Sequence, residues 1–196
     1  MQEAVLNAAS NSGATVCRGV RVRGLQSNGS PTITVAVDGE GQECTARIIV
    51  GADGRSYRTR NWGGFEVLKH QAKTFCAGIL FDDMDSPDDS SQNYGAFDRG
   101  LTTLLFPQGN RRVRAYLSYP QAWGMRLSGS DDLRRFIHWS VDAGAPAEYY
   151  EDVTPAGTLA SFDSSPTCVE HPYRDNIALI GDSAGSTDPI WGQRVS

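Results

Sequence analysis

Two aspartates stand beside glycines at the ends of apolar runs, and their spacing suggests a ligand site. Residues 48–50 run into Gly-Ala-Asp-Gly at 51–54, and residues 177–180 run into Gly-Asp at 181–182. Apolar runs without polar alternation predict parallel strands buried on both faces, and ligands of such sheets bind at the carboxyl ends of the strands. Glycine permits close backbone approach, and a carboxylate accepts hydrogen bonds from sugar or polyol hydroxyls. The predicted binding residues are Asp53, Gly54, Gly181 and Asp182.

The segment after Asp182 adds a second feature. Pro189 suits the first turn of a helix, and Gly192 offers another point of close backbone approach. A helix that begins here would direct unpaired N–H groups and a positive dipole end at a ligand, which favours an anion or a ring that develops negative charge. The alternative is a plain loop that contains proline and glycine.

Other reactive side chains do not form a recognisable site. The four cysteines form no C-x-x-C pair and are interpreted as reduced thiols: Cys17, Cys44, Cys76 and Cys168. The three histidines are isolated in the sequence: His70, His138 and His171. We therefore predict no metal site, and the sequence identifies no catalytic base.

The composition of the 196 residues excludes some partners. The net charge is −5 and the pI is about 5.1, which argues against a nucleic-acid partner. The sequence has no apolar run of membrane-spanning length and no signal peptide, so it predicts a cytoplasmic protein without a membrane span.

The residues before the first aspartate predict a helix followed by a β-hairpin. Residues 2–12 have a helical pattern, and 32–37 alternate as a half-buried strand does. A turn at 38–41 and a return strand over 44–50 predict a hairpin. A phosphate loop at Gly39-x-Gly41 is rejected because no helix follows.

The middle of the chain reads as antiparallel sheet with one helix. Strand patterns cover residues 75–81, 101–106 and 113–119, with an exposed acidic loop over 85–92. Ser130 is the predicted N-cap of a helix that ends at Gly144.

Two segments carry a resemblance to a known family. Residues 49–60, here the DG segment, resemble the DG motif of FAD-dependent aromatic hydroxylases and related monooxygenases. Residues 178–193, here the GD segment, resemble the GD motif of the same family. The order of the two segments also matches, with a sheet-rich region between them.

The resemblance implies a role for each matching residue. Gly181 and Asp182 match the GD motif, whose carboxylate holds a ribityl hydroxyl of FAD. Pro189, Gly192 and Gln193 match the part that lies against the flavin ring. Asp53 and Gly54 match residues tied to the use of FAD and NAD(P)H, and Arg60 matches the arginine that closes the DG motif.

The implied activity is that of part of an FAD-dependent oxidoreductase, an NAD(P)H-dependent monooxygenase. It would insert one oxygen atom from O2 into a small organic substrate through a flavin hydroperoxide. Whether that substrate is aromatic stays open, as does the oligomeric state. The alternatives are a reductase or halogenase of the same fold, and a non-catalytic remnant that does not retain FAD. Aromatic side chains between the two segments are candidates for lining the substrate site: Phe75, Phe81, Tyr94, Phe97, Phe106, Tyr116, Tyr119 and Trp123.

The sequence also departs from the family pattern. Tyr57 stands where the family generally has serine, Gly185 where it often has histidine, and Arg194 where it has glycine. The opening Gly-x-Gly-x-x-Gly unit and the C-terminal helix are not found in the 196 residues, so we expect an internal fragment of a larger flavoprotein.

The predicted fold class is α/β, or α+β overall. It comprises a partial FAD-binding, Rossmann-like domain interrupted by a mostly antiparallel β-sheet substrate domain. The predicted boundaries are 1–62 for the first part of the FAD-binding domain, 63–172 for the substrate domain, and 173–196 for the return to the FAD-binding domain.

Overall fold

The computed structural model describes residues 2–27, 29–37, 39–56, 58–71 and 73–187. The helices of these residues are α1 (Gln2–Asn11), α2 (Arg58–Trp62) and α3 (Leu133–Asp142). The strands are β1 (Arg21–Gln26), β2 (Thr32–Val37), β3 (Glu40–Thr45), β4 (Ile49–Gly51), β5 (Leu68–Lys69), β6 (Thr74–Asp82), β7 (Gln92–Ala96), β8 (Leu101–Pro107), β9 (Val113–Pro120), β10 (Thr154–Pro155), β11 (Ala160–Asp163), β12 (Thr167–Cys168), β13 (Tyr173–Arg174), β14 (Ile177–Leu179) and β15 (Gly185–Ser186). This mixture of helices and open, mostly antiparallel sheets is consistent with the predicted α/β fold class.

The chain divides into two compact units. The first unit runs up to Val67 and includes Val169–Ala184, and the second comprises Leu68–Cys168 and continues from Gly185. The domain boundaries predicted from the sequence also give each part a function, and this division into units does not test that. They stay a prediction. No helix formed by the described residues is long and apolar enough to cross a membrane.

The first unit contains the predicted hairpin. Strands β2 and β3 pair antiparallel, with Val37 opposite Glu40, and β1 pairs with the other edge of β2. Gly39 has a φ of +89°, a backbone conformation that glycine adopts without steric cost. The prediction of one return strand over 44–50 is wrong, because the polar, fully exposed β3 ends at Thr45 and the apolar β4 is a separate strand.

Strand β4 pairs with β14 in parallel, which is the arrangement the apolar runs predict. Ile49 lies opposite Ile177 and Gly51 opposite Leu179, while β13 pairs antiparallel with the other edge of β14. This small sheet packs its buried side on a core that comprises Leu25, Phe65, Val169, Ile177 and Leu179.

The prediction that both apolar runs are buried on both faces is wrong. Ile177 and Leu179 are buried, but Ile48 and Val50 are each 50% exposed and Ile180 is 53% exposed. Among the described residues, β4 is the edge strand of its sheet, so it has a hydrogen-bonded neighbour on one side only. Its side chains alternate between the two faces, and only one face packs on the core, so Ile49 is partly buried while Val50 is exposed.

The second unit is built on one antiparallel sheet. Its strand order is β10-β6-β9-β8-β7, and β11 also pairs with β6. The strands predicted at 75–81, 101–106 and 113–119 form the centre of this sheet as β6, β8 and β9. Strand β7 was not predicted, because its sequence Gln-Asn-Tyr-Gly-Ala lacks the apolar alternation of a strand and is recruited by pairing with β8.

Helix α3 contributes to the core on one face of this sheet. Phe136 is fully buried, and its ring centroid lies 6.2 Å from that of Phe81. The prediction of Ser130 as N-cap is wrong: the N-cap residue is Asp132, whose carboxylate accepts a hydrogen bond from the Ser128 N–H at 3.0 Å. Gly144 follows the helix with a φ of +107°, as its predicted stop position requires.

Gly185 lies in a short sheet of β15, β12 and β5. It is opposite Cys168, and a Cβ at position 185 would lie 3.3 Å from the Thr167 carbonyl oxygen. This is a tight contact, so a side chain at this position requires its neighbour to shift by a few tenths of an ångström.

A substitution at Gly51 tests how closely β4 packs against its neighbours. A Cβ at this position would lie 2.5 Å from Thr59 Cγ2 and 2.9 Å from Leu179 Cδ2. We expect Gly51→Ala to lower the free energy of unfolding by about 1–3 kcal/mol through overpacking. Gly41→Ala is the control, because its Cβ would meet nothing nearer than 3.8 Å and an alanine suits a strand better than glycine. Urea denaturation of both variants measures the difference, and equal stabilities would contradict this packing.

Candidate functional site

The DG and GD segments meet at one end of the small β13-β14-β4 sheet, where the parallel strands β4 and β14 both end. Strands β4 and β14 run side by side, and the Ile180 N–H donates a hydrogen bond to the Gly51 carbonyl at 3.0 Å. A short 3-10 turn follows each strand, at Gly54–Ser56 and at Gly181–Ser183. The structure therefore brings Asp53 and Asp182, which are 129 positions apart in sequence, to the same end of the same sheet.

Asp53 is held by hydrogen bonds from both segments. The Thr59 N–H, in the first turn of α2, donates to Asp53 Oδ2 at 3.1 Å. The Ser183 hydroxyl lies 2.8 Å from Asp53 Oδ1 and 3.1 Å from the Gly54 carbonyl oxygen. Asp53 is nevertheless exposed, so its carboxylate is fixed in position and still reachable by a ligand.

Arg60 connects α2 to the turn that contains Asp182. Its side chain is fully buried, and its Nε donates to the Ser183 carbonyl at 2.5 Å. Its Nη2 donates to the Asp182 carbonyl in a second, shorter contact. A buried guanidinium is costly unless its donors are paired, and bonds from a charged donor are about twice as strong as neutral ones. Arg60 therefore fixes the backbone of the turn at Gly181–Ser183, here the GD turn.

Two glycines leave backbone accessible at this end of the sheet. Gly54 has a φ of +69° and Gly181 a φ of +57°, and a Cβ at either position would have no heavy atom within 4 Å. Glycine is favoured here by the backbone conformation, not by crowding. Open space beside the backbone of both strand ends is what a closely bound ligand requires.

A cavity of about 630 Å³ lies against β4 within the first unit. Asp53 and Arg58 supply charged groups to its lining, and Trp62 and Val50 supply apolar surface. Its volume falls in the range of about 300–1,000 Å³ that small-molecule and cofactor sites occupy. The cavity and the strand ends share Asp53, so one ligand could contact both.

Several residues singled out in the sequence lie outside the described residues: Pro189, Gly192 and Gln193 of the predicted site, and also Tyr57 and Arg194. Neither a role for Ser183 nor the contact between Thr59 and Asp53 was predicted from the sequence. Ser183 directly follows Gly-Asp, so its proximity to the site could have been inferred, but its bond to Asp53 depends on the pairing of β4 with β14.

A comparison with protein families decides the classification. A family model described as FAD binding domain matches residues 1–193, nearly the whole chain. The chain belongs to the FAD-binding domain family. The predicted resemblance to FAD-dependent hydroxylases is confirmed.

Individual relatives of this FAD-binding domain match most of it, but the match spans less than half of their own length. It is 28% identical over 196 residues to 6-methylpretetramide 4-monooxygenase of Streptomyces rimosus, covering 93% of this chain and 44% of that protein. It is 23% identical over 154 residues to digeranylgeranylglycerophospholipid reductase 1 of Methanococcoides burtonii, covering 77% of this chain and 36% of the relative. The chain thus spans less than half the length of these curated relatives.

Solved structures share the fold of this FAD-binding domain. Aklavinone-11 hydroxylase, in a ternary complex with FAD and aklavinone, superposes with a TM-score of 0.75 at 18% identity, over 96% of this chain and 36% of the hydroxylase. At this identity the likeness establishes a common fold.

The residues at the strand ends fit FAD, which family membership supports as the cofactor. FAD carries ribityl and ribose hydroxyls, for which carboxylates are suitable acceptors. The exposed Asp53, the half-buried Asp182 and the open backbone of Gly54 and Gly181 offer such acceptors together with room for close approach. The roles of individual residues toward FAD are a proposal, developed below.

The Arg60 hydrogen bonds can be tested by substitution. We expect Arg60→Ala to lower the free energy of unfolding by about 3 kcal/mol or more, because two turn carbonyls lose charge-assisted bonds worth about 1.5–3 kcal/mol each. Arg58→Ala is the matched control, since Arg58 lies on the same helix and is exposed. Chemical denaturation of the three proteins measures the effect, and similar losses in both variants would refute the assigned role of Arg60.

Proposed function

We propose that the chain is part of an FAD-dependent oxidoreductase, and that the whole protein is an NAD(P)H-dependent monooxygenase acting on a small organic substrate. The observation that carries this proposal is the convergence of the DG and GD segments at one end of the small sheet, where Ser183 bonds to Asp53 and Arg60 bonds to the GD turn. A chance match of two short motifs would not require a fully buried arginine to join them.

The proposed cofactor-binding residues divide into two groups. Asp182 accepts hydrogen bonds from FAD hydroxyls, with Gly181 leaving space beside it, and Asp53 and Gly54 contribute from the neighbouring strand end. Pro189, Gly192 and Gln193 are assigned to the flavin ring from the resemblance alone. Bound FAD would supply the redox chemistry, while the protein binds, orients and shields it from water. Reduction by NAD(P)H belongs to the proposal in the same way.

The substrate class is suggested by the relatives. The names of 6-methylpretetramide 4-monooxygenase and aklavinone-11 hydroxylase describe oxygen insertion into small organic molecules, and the second was solved with aklavinone bound. We propose an aromatic substrate for this protein. The antiparallel sheet within the predicted domain 63–172 is its proposed binding scaffold, and residues 1–62 and 173–196 form the proposed FAD-binding part.

A flavin-dependent reductase is the second candidate. It is favoured by the matches to digeranylgeranylglycerophospholipid reductases at 23–28% identity. The two activities differ in their use of oxygen, since a monooxygenase transfers an atom of O2 to its substrate and a reductase does not. Mass analysis of product formed under isotopically labelled O2 separates them.

Cofactor binding is the direct test of the site. We expect Asp182→Asn to weaken FAD binding about 5-fold, because hydrogen bonds to a charged acceptor are about 1 kcal/mol stronger than those to a neutral amide. The expected affinity of Asp175→Asn equals that of the unchanged protein. Asp175 is an exposed carboxylate just before β14, at the other end of that strand from Asp182.

The measurement is a titration of FAD followed by flavin absorbance and fluorescence. Equal FAD affinity in the two aspartate variants would contradict the role given to Asp182. If none of the three forms takes up FAD, the proposed binding of FAD by these 196 residues is contradicted and the remnant that does not retain FAD is favoured.

A further inference from the structure

The central sheet of the second unit has two faces of different character. One face carries the large core residues, among them Phe81, Leu117 and Tyr119. The opposite face carries small and polar residues in its middle. Strand register aligns Phe162, Cys76, Ser118 and Thr102 in one row across β11, β6, β9 and β8.

A cavity of about 270 Å³ opens on this second face. Its floor includes Cys76, Ser118 and Thr102, which are 3%, 3% and 6% exposed. All the residues that line it are described, and none of them is charged. A site without charge that is lined mainly by apolar groups selects a neutral, largely apolar ligand.

Aromatic rings supply the walls of this cavity: Phe106, Tyr116 and Phe162. The rings of Phe106 and Tyr116 meet edge to face, with centroids 6.0 Å apart. Gly78 makes room for Tyr116, because a Cβ at that glycine would lie 2.8 Å from the Tyr116 ring. Ring faces and edges held in this way offer stacking surface to another aromatic ring.

Ser118 contributes an unsatisfied polar atom to the floor. Its Oγ is buried and has no hydrogen-bond partner among the described residues. Leaving a buried hydroxyl unpaired is unfavourable, so such a group calls for an explanation. A polar atom of a ligand in the cavity would satisfy it.

We propose that this cavity binds a flat, neutral aromatic ring carrying a hydroxyl or carbonyl group, and that the Ser118 hydroxyl bonds to that group. The cavity, its walls and the unpaired hydroxyl carry the proposal; only the identification of this ligand with the substrate rests on the proposed function. Ser118 is thus a specificity-determining residue, which selects an oxygenated ring over a plain hydrocarbon.

A pair of matched probes tests this selection in the full chain. 2-Naphthol and 2-methylnaphthalene have the same ring system and differ by a hydroxyl in place of a methyl. In fluorescence titrations we expect Ser118→Ala to raise the Kd of 2-naphthol about 2- to 10-fold, the effect of one neutral hydrogen bond. The Kd of 2-methylnaphthalene should not change. Equal changes for both probes, or no change for either, would overturn the proposal.

Thr103 provides the control variant. Its Oγ1 is also buried without a partner, but Thr103 pairs opposite Leu117 and shares the core face of the sheet. Thr103→Val removes a hydroxyl of the same kind and should leave the affinity for both probes unchanged. If it weakened 2-naphthol binding as much as Ser118→Ala does, the effect would be general loosening of the sheet and the proposal would fail.

A thermal melt of Ser118→Ala without ligand distinguishes a binding role from a structural one. Because its hydroxyl has no partner in the fold, its removal should leave the Tm unchanged or raise it. A clear decrease would show that the hydroxyl stabilises the fold, which would overturn the assignment.

Titration of FAD in the same samples separates this proposal from the proposed function. Ser118-dependent binding of 2-naphthol by a protein that takes up no FAD supports the cavity and contradicts FAD binding by these residues. FAD uptake without any 2-naphthol binding contradicts the cavity alone.

Discussion

The candidate site depends on one buried cation. Arg60 has no exposed surface, and its guanidinium is paired with the carbonyl oxygens of Asp182 and Ser183. Because the desolvation of a guanidinium is costly, the folded state tolerates it only where acceptors are already in place. The 3-10 turn after β14 supplies those acceptors, and α2 supplies the arginine. Each segment is therefore held in the conformation that the other requires.

Two kinds of interaction position the strand ends and the turns that follow them. The register between β4 and β14 fixes where the two strands end relative to each other. The hydrogen bonds of Arg60 and Ser183 then fix the conformation of the turns that follow. Arg60 holds Asp182 through its backbone oxygen, so this contact does not use the carboxylate that we assign to FAD. Asp53 is held through its side chain by Thr59 and Ser183.

Local sequence patterns predicted the secondary-structure elements better than they predicted which side chains are buried. The alternation of 32–37, the turn glycine at 39 and the apolar run at 177–180 are properties of short stretches, and the hairpin and β14 follow from them. Burial is a property of neighbours, so the half-exposed Val50 and Ile180 could not be recognised from an apolar run alone. Asp53 and Asp182 were predicted as a pair because both follow parallel strands. Their link through Ser183 required the register between strands.

The aromatic residues of the second unit likewise could not be assigned to the core or to the cavity from the sequence alone. Alternation along a strand predicts that about half of its side chains lie on each face of the sheet. Which half belongs to the core depends on the face that α3 covers, and the sequence of the strand does not give this. Phe81 and Tyr119 belong to the core face, and Phe106 and Tyr116 to the cavity face. The hollow lies over the short side chains of Cys76, Ser118 and Thr102, which are neighbours across β6, β9 and β8. A sheet that fills one face fully and keeps small residues at the centre of the other has the shape of a ligand-binding surface, with Ser118 as its polar contact.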